Sequence, residues 1–224
     1  MTFSIAARCA STGMFGVAVS SSSPAVAARC AHARAGVGAV ASQNITDPSL
    51  GRKALDLMAL GANAAETIAI VQRSAPHMNY RQLLVVDATG GAAIHSGANA
   101  LGIWAEAKAD NVACGGNLLA NPGVPAAMVA NFLASSGHLG DRLIQAMHAA
   151  LAAGGEAGPV HSAGMMLVRD VSWPVADLRV DWTDACPIAG LTALWDVYKP
   201  QLDAYVTRAL DPTEAPSYGV PGDP

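Results

Sequence analysis

The feature that most limits what this chain can fold into is the grouping of its periodic segments: strands fall in hairpin pairs and helices in runs of two. Residues 2–9 (TFSIAARC) alternate, with Phe3, Ile5, Ala7 and Cys9 to one side and Thr2, Ser4, Ala6 and Arg8 to the other. That is the period of a half-buried strand. Ser11-Thr12-Gly13 reads as a turn into a second strand over 15–20, which the serines at 20–23 and Pro24 end. Residues 25–33 read as a small-residue connection with one or two helical turns, leading to a third strand over 36–42 (GVGAVAS). Asp47-Pro48 opens a helix that Gly61 closes, and Asn63 with Glu66 has capping-box spacing for a second helix to about Ser74.

Residues 82–87 and 92–96 form another hairpin across Thr89-Gly90-Gly91, and 111–115 read as a short strand with Asn117 just past it. Helices from Asn121-Pro122 to about Ala134 and over 138–153 precede two late strands, 162–169 and 175–182. A long helix over 188–210, bent at Pro200, is predicted to bury Leu191, Leu194, Trp195, Tyr198, Leu202 and Tyr205. Hairpin strands and paired helices in this order imply an α+β fold: a four-layer αββα sandwich of two mainly antiparallel sheets flanked by helices. The expectation is one domain over 1–210 and an extended Pro/Gly-rich tail over 211–224. A chain that is 52% hydrophobic and 13% charged has enough apolar side chain for so much interior, and suggests a homodimer with buried subunit contact.

A net charge of −4 offers no basic footprint for nucleic acid. No apolar run approaches the ~20 residues that cross a bilayer, and no charged and apolar leader precedes the first strand. Cys9, Cys30, Cys114 and Cys186 form no C-x-x-C pair, so reduced thiols in a cytoplasmic protein are expected. The histidines at 32, 77, 95, 138, 148 and 161 make no metal-ligand spacing, and neither metal nor cofactor is expected. Gly36-Val37-Gly38-Ala39-Val40-Ala41 matches a dinucleotide-binding string, but its glycines lie within a strand and no helix begins there to receive a pyrophosphate.

Thr2 is the candidate that bears chemistry. Removal of Met1 would leave a threonine with its hydroxyl beside a free α-amine, nucleophile and base in one residue. Such an amine titrates at roughly 7.7–8.0, near enough to neutrality to accept the hydroxyl proton. Ser20 and Ser21, at the end of the neighbouring strand, are placed to bind substrate or orient the amine. Asn117, after Gly115-Gly116, and Asn44, after Gln43, offer amide donors for an oxyanion, or are turn residues. Gly116 lets backbone approach closely. Arg34 either lowers the hydroxyl's pKa by its charge or pairs with a surface carboxylate. His95 and His161 lie at a strand end and a strand start, as substrate contacts or structural residues.

The ordered segments TFSIAAR, GVAVSSS, ARAGVGAVASQN, YRQLLVVD with IHSG, GGNLL and DLRVDW resemble the bacterial and archaeal family DUF1028, from Thr2 to about Tyr198. That family is grouped with the N-terminal nucleophile (Ntn) hydrolases, which share the αββα sandwich and cleave amides through an acyl-enzyme. The resemblance implies Thr2 as nucleophile, its α-amine as proton shuttle, and Asn117 or Asn44 at the oxyanion. Many members carry a lysine after the second strand where this chain has Ser20 to Ser23; if that lysine tunes the nucleophile, Arg34 or Arg29 would have to supply that charge, or the site works differently. The function implied is amide hydrolysis of a small or peptide-like substrate; the alternative is a catalytically silent protein that binds a small ligand on the same fold.

Overall fold

The computed structural model describes residues 1–222, so Asp223 and Pro224 of the expected tail lie outside the described residues. The chain runs β1 (Thr2–Arg8), β2 (Phe15–Ser21), α1 (Val26–Cys30), β3 (Ala31–Arg34), β4 (Gly38–Asn44), α2 (Ser49–Ala59) and α3 (Ala64–Ser74). It continues through β5 (Arg81–Asp87), β6 (Ala92–Ser96), β7 (Ala105–Ala109), β8 (Val112–Asn117), α4 (Val124–Ala134) and α5 (Leu139–Ala152). Last come β9 (Ser162–Val168), β10 (Ala176–Val180), α6 (Pro187–Tyr198) and α7 (Leu202–Leu210).

Two antiparallel sheets result, one of six strands in the order β10-β9-β2-β1-β8-β7 and one of four in the order β3-β4-β5-β6. The first strand of the chain is therefore central, hydrogen-bonded to β2 on one side and β8 on the other. Its alternation divides the interior. Phe3, Ile5 and Ala7 point away from the second sheet and pack with Leu143, Met147 and Trp195 of α5 and α6. Ala6 points inward, meeting Phe15, Val17, Val19, Ala39, Ala41, Leu84 and Val86 between the sheets. On the far side, Val40, Leu83 and Val85 are covered by Leu50, Leu55, Ile68 and Val71 of α2 and α3. Helices, sheet, sheet and helices follow one another as four layers, an α+β sandwich. Small residues allow the layers to close. At Gly16 an added Cβ would lie 2.7 Å from a methyl of Leu143 and of Leu167, so α5 rests on bare backbone there.

Local chemistry explains several element ends. Asn63 and Glu66 form a full capping box, each side chain accepting from the other's backbone N–H at 2.9 Å. Asp47 Oδ1 accepts from Ser49 N–H at 3.0 Å at the entry to α2, and Gly61 turns the chain out at φ +100°. Two expectations change, and one strand appears where none was read. The connection after residue 25 ends in a short strand, β3, because Ala31 to Arg34 pair with β4. The Ala-rich AEAKA becomes edge strand β7, paired with β8 alone. Pro200 does more than bend the last helix: a 3-10 turn over Lys199–Gln201 splits it into α6 and α7. After that break Leu191, Trp195 and Leu202 are buried, whereas Leu194 is 42% and Tyr205 36% exposed. In the tail, Arg208 donates to the Pro216 carbonyl at 2.7 Å and lies over the Tyr218 ring.

Leu84 is fully buried between the sheets, and Leu60 is 86% exposed at the end of α2. Leu84→Ala is expected to cost about 2–5 kcal/mol, and Leu60→Ala less than about 0.5 kcal/mol. Urea unfolding midpoints measure both, and equal effects would contradict the layer assignment.

Candidate functional site

The site lies where β1 begins. Thr2 faces inward, 5% exposed, opposite Asn117 of β8 across one strand pair. Its Oγ1 hydrogen-bonds to the Met1 carbonyl and lies 3.4 Å from Ser21 Oγ of β2. Ser21 Oγ also donates to the Met1 carbonyl, and lies 2.9 Å from Ser23 Oγ. Three neighbouring strands thus converge their polar inner-face residues at one end of the sandwich.

Beneath them runs a buried polar chain. Ser4 Oγ donates to Gln43 Oε1 at 2.6 Å, and Gln43 Nε2 donates to Gln82 Oε1 at 2.7 Å and to the Gly115 carbonyl at 3.2 Å. Gln82 Nε2 passes the chain to Ser96 Oγ at 3.0 Å, and Ser96 donates to Glu106 at 2.6 Å. Asn117 Nδ2 reaches Gln82 Oε1 only at 3.4 Å, a weak bond that leaves its amide the least committed donor beside Thr2. Low surrounding dielectric strengthens such a network when its members are satisfied.

Above Thr2 is a cleft of about 410 Å³, walled by Met1, Ser23, Val26, Arg29, Cys30, Asn44, Ile45, Thr46, Pro48 and Leu101. A hollow of about 460 Å³ lies along α2 among Ser49, Arg52, Lys53 and Asp56, sharing Pro48 with the Thr2 cleft but not Thr2 itself. We take the cleft at Thr2 as the site because buried polar groups converge there. Asn44, held at φ 72°, ties the end of β4 to two other segments: Nδ2 donates to the Tyr80 carbonyl at 2.6 Å and Oδ1 accepts from the N–H of Leu101, itself a cleft residue. Burial pushes the Cys30 thiol pKa up, which keeps this wall residue a thiol.

The other sequence candidates are placed as follows. Ser20 faces the opposite side of β2 and donates to the Ser162 carbonyl at 3.0 Å. Gly116 is backbone filler: a Cβ there would meet Leu119 at 2.6 Å and the Thr2 carbonyl at 3.1 Å. The His161 backbone N–H donates to the Ser21 carbonyl at 2.9 Å, while its ring stacks on Trp182 at 4.4 Å. His95 lies toward α3, bonded to Gln72 and to the Met78 carbonyl. Arg34 pairs with Asp56 at 2.7 Å, both partly exposed. The β3–β4 hairpin sets it opposite Gly38, at the far end of β4 from Asn44. His95 and Arg34 are therefore not brought to the threonine.

One residue of the site escaped sequence reasoning. Glu156 follows Gly154-Gly155 and is 6% exposed, bridged by backbone to Leu119. Its Oε2 accepts from Ser22 N–H at 3.2 Å, and its buried Oε1 has no partner. Burial raises its pKa to about 7, only partly offset by the chain's terminal amine and the Ser22 N–H. No local pattern marks a glutamate in a glycine-rich loop as buried. Among the described residues no three His, Cys, Asp or Glu side chains gather to hold a metal ion. No helix of the described residues is long and apolar enough to cross a membrane.

The arrangement is that of an α+β sandwich with a polar cleft at the open end of its central strand. The chain belongs to DUF1028, a family of unknown function whose model matches residues 2–191. It is similar to a DUF1028 protein from Silicibacter pomeroyi known from a crystal structure, at 28% identity over 88% of each chain and a TM-score of 0.81. It also shows a slight likeness to Anbu (ancestral beta-subunit) from Yersinia bercovieri, at 12% identity over 91% of this chain and 97% of that one, with a TM-score of 0.40. No curated protein matches it.

Because the folded state holds the Glu156 carboxyl at about 7, above its ordinary value, the stability it contributes is complete in acid and lost as pH rises through about 7. Glu156→Gln, neutral throughout, is expected to match the parent near pH 4 and to exceed it near pH 8 by on the order of 2 kcal/mol. Urea titrations at the two pH values measure this, and a variant less stable near pH 8 would contradict it.

Proposed function

We propose that this chain is an Ntn-type amidohydrolase that cleaves a small amide or peptide-like substrate through an acyl-enzyme on Thr2 once Met1 is removed. The observation that carries the reading is the burial of the Thr2 hydroxyl among Ser21 and Asn117 at the floor of a cleft. In this scheme the α-amine of Thr2 takes the proton of Oγ1 as Oγ1 attacks the substrate carbonyl carbon. The resulting oxyanion receives a hydrogen bond from Asn117, whose amide holds only a long bond to Gln82. The C–N bond breaks as the ammonium returns the proton to the departing amine, leaving an ester on Thr2. Water, deprotonated by the same amine, attacks that ester, and the acid is released as Oγ1 takes the proton back from the ammonium. Asn44, tied to Tyr80 and Leu101, shapes the cleft in this scheme rather than the oxyanion hole.

Buried free thiols at Cys9, Cys30 and Cys114 support a reducing compartment, and we read the protein as cytoplasmic. Exposed Ile103 and Trp104 support a homodimer.

Intact mass is expected to lack methionine. Thr2→Ala is expected to fold as the parent does and to lose turnover of a responsive amide by at least about a thousandfold. Undiminished turnover rejects the nucleophile; a retained methionine together with ligand binding favours the silent binder. Light scattering at micromolar concentration is expected to give twice the chain mass, and a monomer removes the dimer.

A further inference from the structure

The wall of the cleft at Thr2 is not chemically uniform. Val26, Ile45 and Leu101 supply an apolar surface, and Arg29 supplies positive charge. No Asp or Glu is among the residues that line it. Arg29 is the next-to-last residue of α1, and its Nη2 is fixed by donation to Ser23 Oγ at 3.0 Å and to the Pro24 carbonyl at 2.8 Å. Among the described residues, no carboxylate lies within ion-pair distance of this guanidinium, and Nε and Nη1 donate to no protein acceptor. By contrast Arg34, Arg169 and Arg179 each meet an aspartate. The loop that anchors Arg29 is also the loop whose Ser23 is bonded to Ser21, beside Thr2.

We propose that Arg29 is a specificity-determining residue that binds a carboxylate on the ligand, so that the cleft takes compact N-acyl amino acids or short peptides with a free acid group. Arg29 is exposed at the rim of the cleft, and a guanidinium held by one nitrogen presents there a planar fork that suits a carboxylate, with no competing acid among the lining residues. Val26, Ile45 and Leu101 then receive the ligand's apolar side chain. A volume of about 410 Å³, with Met1 among its walls, accommodates a molecule of that size. The net charge of −4 makes a locally positive cleft a selective feature rather than a general one. The inference rests on the functional reading only for placing an amide near Thr2; carboxylate recognition itself does not require turnover.

The test is binding to the Thr2→Ala protein, which holds ligand without cleaving it under the scheme above. N-acetylleucine and its neutral counterpart N-acetylleucinamide are titrated calorimetrically into that protein carrying Arg29, Arg29→Lys or Arg29→Gln. With Arg29 the acid is expected to bind at least about tenfold more tightly than the amide. The preference is expected to persist in part with Arg29→Lys and to fall to about unity with Arg29→Gln. Equal binding of acid and amide with Arg29 present, an acid preference retained by Arg29→Gln, or no binding of the acid at millimolar concentration overturns the proposal. Should the acid preference follow Arg29 while the parent protein cleaves none of a panel of N-acyl amino acids, the hydrolase reading fails and carboxylate recognition stands.

Discussion

Everything in this molecule depends on the pairing of the chain's first strand between β2 and β8. A strand at the edge of a sheet leaves half its N–H and C=O groups to water, whereas a central one satisfies them on both sides. β1 is central, so from Phe3 onward its residues are held by two ladders, while Thr2 pairs with Asn117 of β8 and is buried as well. A terminal residue with a free amine is ordinarily the most mobile and most solvated part of a protein. Here the second residue sits 5% exposed against two fixed neighbours.

The inner face of that strand changes character along its length, and this separates scaffold from site. Around Ala6 the space between the sheets is filled by Phe15, Val17, Leu84 and Val86. Around Thr2 and Ser4 it is filled by Gln43, Gln82 and Asn117. Burying those amides costs free energy unless each finds a partner, and the run from Ser4 through both glutamines to Ser96 supplies partners. A network of this kind tolerates one register. It keeps Asn117 opposite Thr2, and it ties the two sheets together at the end where the cleft opens. Glu156 lies at the same end with one oxygen unpartnered, and its burial holds the carboxyl above its ordinary value, at about 7.

Most of the element order was legible because its signals are local. The capping box at Asn63, the turns at Thr89-Gly90-Gly91 and the alternation of residues 2–9 each rest on neighbours a few positions apart. Where the reading differs from the structure, the cause is not local. AEAKA has weak strand propensity and becomes β7 only because β8 offers it an unpaired edge. Ala31 to Arg34 become β3 through pairing with β4, and that hairpin carries Arg34 to the end away from Thr2, where it finds Asp56. Leu194 and Tyr205 fall on exposed faces because the turn at Lys199–Gln201 resets the helical phase at Pro200.

What the sequence by itself determined is the inventory and its periods: an alternating strand with Thr2 on the face opposite Phe3, paired helices, hairpins, and serine and amide side chains at strand ends. Period and capping act through bonds within a few residues, so they can be read without a structure. Which of those side chains meet was decided only by tertiary structure. Thr2, Ser21, Asn117 and Glu156 are separated by tens of residues, and sheet order and register alone bring them to one end of the sandwich. The same pairing leaves His95 and Arg34 elsewhere, and gives Arg29 a cleft to line instead of an aspartate to neutralise it.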